Sequence, residues 1–191
     1  LSVAGGISLA QKTPDKFALK TPEKQVYMAA NAHFDTQWRW NVRQSIGEFL
    51  PNTLYQNFAL MEQYPDYKFS FEGAVKHYWT KEYYPHLYST LVKYVKEGRW
   101  YPAGASWDAN DFNVPSAESN FKNILLAEEF YKAEFGVKSY DIMLPDCFGF
   151  GYALPSIASH CGVFAFHTQK LKWRNNPFYE GGKKWPFEFG I

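Results

Sequence analysis

Two hydrophobic rhythms alternate along this chain. Short apolar runs recur between longer stretches in which apolar residues return every three or four positions. The first run, over 26–33, predicts a strand that leads into the stretch HFDTQWRW. Residues 42–64 carry a helical pattern with a break or restart at Pro51. The stretch KFSFEG, residues 68–73, alternates with a period of two and predicts a second strand. Pro85 opens a helix whose apolar stripe is Leu87, Leu91, Tyr94 and Val95, with Gly98 where a C-terminal cap belongs. A third strand is predicted over 100–106. Ser116 is a fitting N-cap, with Glu118 in the first turn, for a helix that ends at Gly136. Its predicted face is Ala117, Phe121, Ile124, Tyr131 and Phe135. Residues 140–144 predict a fourth strand, 153–160 a short helix stopped by Gly162, and 163–168 a fifth strand.

Strands alternating with helices predict an α/β fold, a parallel sheet or barrel. Ligands of such folds bind at the carboxyl ends of the strands. The predicted ends here carry His33 and Asp35, Glu72, the run from Trp107 to Asp111, Asp146 and His167. Acids, imidazoles and aromatics therefore gather where a site would form. The Gly-x-Gly-x-x-Gly, Walker and Gly-x-Ser-x-Gly motifs do not occur, so phosphate and acyl chemistry lose their usual signatures.

Composition narrows the field. The 191 residues suffice for one domain with a sizeable core, and 46% apolar with 20% charged residues reads as globular. Aromatics reach 20%, which suits a sugar-binding cleft or an aromatic core. A net charge of +1 without a basic block excludes the electrostatic footprint of a nucleic-acid or anionic-membrane binder. No apolar run reaches the length of a membrane span. The start, LSVAGGISLAQKTPDK, resembles the end of a secretory signal peptide, with small residues at Ser8 and Ala10 but no charged segment before them. A disordered apolar start is the other reading. Export to a periplasmic or extracellular space is the resulting expectation. Residues 1–25 then form a signal remnant and polar leader, and 26–191 the folded domain. Cys147 and Cys161 suit either a disulfide or two free thiols, and the missing Cys-x-x-Cys excludes a structural zinc finger.

His33 and Asp35 are two apart, so an extended backbone turns both to one side. Such a pair suits a divalent metal, or equally a hydrogen-bonded pair with none. Asp146 follows an apolar strand and precedes two glycines, as a site carboxylate or a helix-capping aspartate would. Asp108 and Asp111 lie in another strand-to-helix loop, as substrate contacts, partners of a metal ligand, or solvated acids. His77, His86, His160 and His167 lack metal spacing and read as surface or satisfied core histidines.

Taken in order, HFDTQWRW, ASWDANDFNVPSAES, MLPDCFGFGYALPSI and HTQKLKW resemble the amino-terminal catalytic domain of family 38 glycoside hydrolases, the α-mannosidases. The likeness runs from about residue 26 to 173. It implies a parallel seven-stranded (β/α) barrel-like catalytic domain, incomplete in this chain. It also implies a zinc-dependent, retaining exo-α-mannosidase acting on terminal mannose of an oligosaccharide or glycan. On that resemblance His33, Asp35 and Asp146 bind zinc, Asp146 is also the nucleophile, and Trp38 and Phe148 line the sugar site. Cys147 falls at a variable position. The family's fourth zinc ligand, a distal histidine, and its general acid have no matching motif in these residues. The expectation is therefore a truncated chain, inactive or very weak alone. A metal-dependent polysaccharide deacetylase also sets Asp and His at strand ends, but its His-x-x-x-His pair does not occur here. A non-catalytic carbohydrate-binding module would need neither Asp146 nor a metal.

Overall fold

A computed structural model describes residues 30–169. In chain order the elements are β1 (Ala30–Ala32), α1 (Val42–Gln44), α2 (Leu50–Gln63), β2 (Phe69–Glu72), α3 (Ala74–Tyr83), α4 (Pro85–Lys96), β3 (Trp100–Ala103), α5 (Ala117–Phe135), β4 (Asp141–Met143), α6 (Leu154–His160) and β5 (Ala165–His167). All strand pairs are parallel: β1, β2 and β3 form one sheet, β4 and β5 another. The signal-like start and the last predicted residues of the barrel lie outside the described residues.

The expected alternation of strands and helices is borne out, while a seven-stranded barrel is not seen among the described residues. Five strands stand in two sheets. At Gly104 a φ of 72° turns the chain out of β3 immediately after Ala103. Beyond that turn, contact with β4 is kept by two bonds: Ala105 N–H donates to the Asp141 carbonyl at 2.6 Å, and Gly104 N–H to the Asp141 carboxylate at 3.3 Å. Strand β3 accordingly ends before its apolar run does.

Local signals set the helix ends. Asn41 accepts the Gln44 N–H while Gln44 Oε1 accepts the Asn41 N–H, a capping box that starts α1. The restart expected at Pro51 takes the form of a π-helical turn, Ser45–Phe49, in which Leu50 N–H reaches back to the Ser45 carbonyl. A proline just beyond cannot donate, and the wider turn carries the chain into α2 without a break. Gly98 closes α4: its N–H meets the Val95 carbonyl and Arg99 N–H meets that of Tyr94, a Schellman motif with Gly98 at φ 65°.

Two departures share one cause. Helix α3 escapes the periodicity because, after Ala74 and Val75, its buried residues are Lys76, His77 and Thr80, polar side chains where an apolar stripe would be sought. On α5, Ile124, Tyr131 and Phe135 are buried as expected, but Ala117 is exposed and Asn120 is buried. Asn120 tolerates burial because its Oδ1 accepts from Asn110 Nδ2 at 2.7 Å.

Two apolar clusters fill the interior. One packs Phe69, Phe71 and Trp100 of the first sheet against Leu50, Leu54, Leu91, Tyr94 and Tyr131. The other packs Ile142, Leu144 and Val163 against Ile124, Leu154 and Ile157. Cys147 and Cys161 are separate thiols. No described helix is long and apolar enough to cross a membrane.

His77 is a satisfied core histidine. Trp100 Nε1–H donates to its Nε2 at 3.1 Å, and its Nδ1 lies 3.1 Å from the Gly73 carbonyl. Burial pushes its pKa down to about 4, against about 6.5 in the unfolded chain. Between those values the unfolded chain takes up a proton that the folded chain refuses. Stability attributable to His77 is therefore full above pH 6.5 and declines as pH falls towards 4, by about 3 kcal/mol. Urea denaturation at a series of pH values should reveal this slope, and a His77→Phe chain should lose it; an unchanged slope in that variant would assign it to another group.

Candidate active site

Parallel register builds the site from adjacent strand ends. Ala32 pairs with Phe71, so the next residues, His33 and Glu72, stand side by side. His33 Nδ1 lies 3.1 Å from Glu72 Oε1. Its other nitrogen, Nε2, lies 3.2 Å from Asp35 Oδ1 and 3.7 Å from Asp146 Oδ2. Asp146 arrives from the other sheet, in the loop after β4. One imidazole is thus bracketed by three carboxylates. His33, Asp35 and Asp146 keep 31%, 38% and 35% of their side-chain surface exposed, whereas Glu72 keeps 2%. The first three can meet a ligand and Glu72 cannot. The Glu72 hydrogen bond raises the His33 imidazole above its usual pKa, the charges of Glu72, Asp35 and Asp146 add to this, and burial opposes it.

Behind Glu72 stands a fully buried lysine. Lys76 Nζ lies 3.6 Å from Glu72 Oε1 and faces the rings of Phe34 and Phe71 at 5.5 and 5.6 Å. Burial lowers its pKa, and the Glu72 charge resists. Neither Lys76 Nζ nor Glu72 Oε2 finds a hydrogen-bond partner among the described residues. Either charge alone in this place would cost several kcal/mol; together they neutralise each other.

The loop after β3 is pinned from α5. Asn123 Oδ1 accepts the Asp108 N–H at 3.2 Å, and its Nδ2 donates to the Asp108 carbonyl at 3.1 Å and to Asn110 Oδ1 at 3.0 Å. Asp108 Oδ2 accepts from Thr36 Oγ1 at 2.6 Å, tying this loop to the His33–Asp35 segment. Burial raises the Asp108 pKa, and the Thr36 bond pulls it down. The Cys147 thiol donates to the Asn110 carbonyl at 3.2 Å, joining the Asp146 loop to the same frame.

A cleft of about 190 Å³ opens over these groups, lined by His33, Asp35, Asn110, Asp111, Asp146 and Phe148 among others. That is below the roughly 300–1,000 Å³ of drug-sized pockets and suits a single small ring. Phe148 is 72% exposed on its wall. Asp108 lies outside the lining and braces the loops instead. Trp38, 66% exposed, also lies outside it. The Arg39 guanidinium covers its ring at 4.5 Å and Trp40 meets it edge-on at 5.8 Å, while Trp40 Nε1–H donates to the Asp35 carbonyl at 3.3 Å. His86, His160 and His167 stay away from the cleft. Lys76 and the Asn120–Asn123 pair escaped the reading of the sequence. The signals available for them were spacing alone: Lys76 four residues after Glu72, and two asparagines three apart on one helix.

Among the described residues, no group of three or more His, Cys, Asp or Glu side chains closes into a ready metal cage. His33, Asp35 and Asp146 are nitrogen and oxygen donors of the kinds that zinc takes. Donors about 2.1 Å from a tetrahedral ion lie about 3.4 Å from each other. The two separations measured from His33 Nε2, 3.2 and 3.7 Å, straddle that spacing.

Residues 23–186 match the profile of the glycosyl hydrolases family 38 N-terminal domain. Alpha-mannosidase G of Dictyostelium discoideum is 35% identical over 171 residues, covering 88% of this chain and 16% of that protein. Alpha-mannosidase 2C1 of Homo sapiens is 32% identical over 148 residues, covering 78% of this chain and 14% of that protein. The chain thus spans about one-sixth or less of the length of these relatives. Among solved structures, an alpha-mannosidase from Enterococcus faecalis superposes with a TM-score of 0.66 at 20% identity, over 73% of this chain and 16% of that one. A 4-alpha-glucanotransferase from Thermococcus litoralis superposes with 0.56 at 16% identity, over 72% of this chain and 21% of that one. These two likenesses speak to the fold. The profile match over most of the residues, with relatives above 30% identity, establishes that this chain belongs to glycoside hydrolase family 38.

Proposed function

We propose that this chain carries the sugar-attacking half of a zinc-dependent, retaining exo-α-mannosidase, within a seven-stranded barrel-like domain. The observation that carries the reading is the approach of two cleft carboxylates, Asp35 and Asp146, to the same nitrogen of His33 at 3.2 and 3.7 Å. His33, Asp35 and Asp146 are the zinc donors in this reading. When bound, zinc supplies Lewis-acid and templating chemistry to sugar hydroxyls beside the reacting carbon.

The residues of the chain do the rest. Asp146 attacks the anomeric carbon and forms a covalent glycosyl ester as the bond to the leaving oxygen breaks. A second carboxyl group, about 5–5.5 Å away in retaining enzymes, gives its proton to that oxygen and later takes one from water. Asp111 and Phe148 border the sugar, and Trp38 extends the apolar surface beyond the cleft. Asp108 steadies the two loops through Thr36. The substrate class is a glycan ending in α-linked mannose, in keeping with the relatives named alpha-mannosidase. Export is part of the proposal and is supported by the signal-like Ser8-Leu9-Ala10.

The natural full-length chain should hydrolyse an aryl α-mannoside, lose that activity to a chelator and regain it with zinc. Asp146→Asn should lower kcat by roughly 10⁴-fold while zinc binding persists in part. Full turnover by that variant would exclude Asp146 as the nucleophile. Trp38→Ala and Phe148→Ala should each reduce kcat/KM by about tenfold through lost apolar contact; an unchanged value would remove that residue from the sugar site.

A further inference from the structure

We infer that Glu72 is a positioning residue for His33: its buried carboxylate holds the imidazole as the Nδ1–H tautomer and leaves Nε2 as the free donor between Asp35 and Asp146. The inference rests on the proposed zinc reading for its purpose, but its geometry stands without a metal. A neutral imidazole has one N–H, and the bond made at one nitrogen decides the role of the other. Two sets of acceptors compete for that proton. Glu72 lies 3.1 Å from Nδ1; Asp35 and Asp146 lie 3.2 and 3.7 Å from Nε2.

Distance barely separates them, and burial decides. Asp35 and Asp146 are each more than a third exposed, so water can satisfy them. Glu72 is 2% exposed, and its Oε2 already lacks a partner among the described residues. Removing the His33 bond would strand a buried carboxylate that water does not reach. The same low-dielectric setting strengthens the bond that is made. Lys76 Nζ, 3.6 Å from Glu72 Oε1, is the buried ion-pair partner of this carboxylate. Parallel register fixes the whole arrangement, because Glu72 follows Phe71 as His33 follows Ala32. Residues of this kind, behind a metal-binding histidine, orient the ring and typically change metal affinity about 10–100-fold when lost.

Nitrogen-15 NMR on the full-length chain labelled at histidine reads the tautomer directly. It is recorded with zinc removed, at a pH where His33 is neutral. The parent should carry its proton on Nδ1. A Glu72→Leu/Lys76→Met chain loses both buried charges together, so neither is stranded, and unchanged His77 signals report an intact core. In that variant the proton should move to Nε2, and zinc affinity, read by competition with a chelating dye, should fall about 10–100-fold. Should the paired variant not fold, Glu72→Gln decides: it keeps an acceptor oxygen without the charge, and zinc binding should still weaken severalfold. Nε2–H in the parent overturns the inference, as does undiminished zinc affinity in the variants, which leaves the zinc reading intact. A parent that binds no zinc but shifts tautomer with Glu72 overturns the zinc reading and upholds the positioning role.

Discussion

Parallel pairing in register is the constraint from which the site follows. Ala32 stands opposite Phe71, and Phe71 opposite Pro102, so the three strands end within one residue of the same height. Whatever residue comes next on each strand becomes a neighbour of the others, on one edge of the sheet. Here those residues are His33 and Glu72, followed on β3 by the loop that carries Asp108, Asn110 and Asp111. The second sheet adds Asp146 in the same way, from beyond β4. No long-range coincidence is needed for chemically active side chains to meet; short strands and short loops suffice.

Holding charge at such an edge has a structural cost, and the fold answers it in layers. The cleft carboxylates remain a third exposed, where water screens them. One layer deeper, Glu72 and Lys76 offset each other inside a cage of Phe34 and Phe71. Deeper still, His77 stays neutral between Trp100 and the Gly73 carbonyl. Helix α3 supplies both Lys76 and His77, which is why its inward face carries polar side chains. The loop frame of Asp108, Asn110, Asn120 and Asn123 does for the cleft wall what the Glu72–Lys76 pair does for its floor.

Much of this was legible in the sequence where the controlling interaction is local. Pro85, Gly98, Ser116 and Gly136 mark helix ends because a cap or a positive φ acts within a few residues. His33 and Asp35 were readable as a pair from their spacing, and the 3.2 Å contact agrees. What escaped depends on partners distant in the chain. Asn120 takes a core position on α5 through Asn110, and α3 hides its period behind Lys76, His77 and Thr80. Asp108 read equally as a ligand contact or a loop acid until Thr36 was seen to claim its carboxylate. The extent of β3 was overread because Gly104 turns the chain away before its apolar run ends.

The central claim is that strand ends from both sheets bring His33, Asp35 and Asp146 to one zinc ion. Diffraction from zinc-loaded crystals of the full-length protein, recorded on both sides of the zinc absorption edge, tests it most directly. The account predicts one anomalous peak about 2.0–2.2 Å from His33 Nε2 and from a carboxylate oxygen of Asp35 and of Asp146. A site that stays empty at saturating zinc, or a peak bound elsewhere without Asp146, would contradict it.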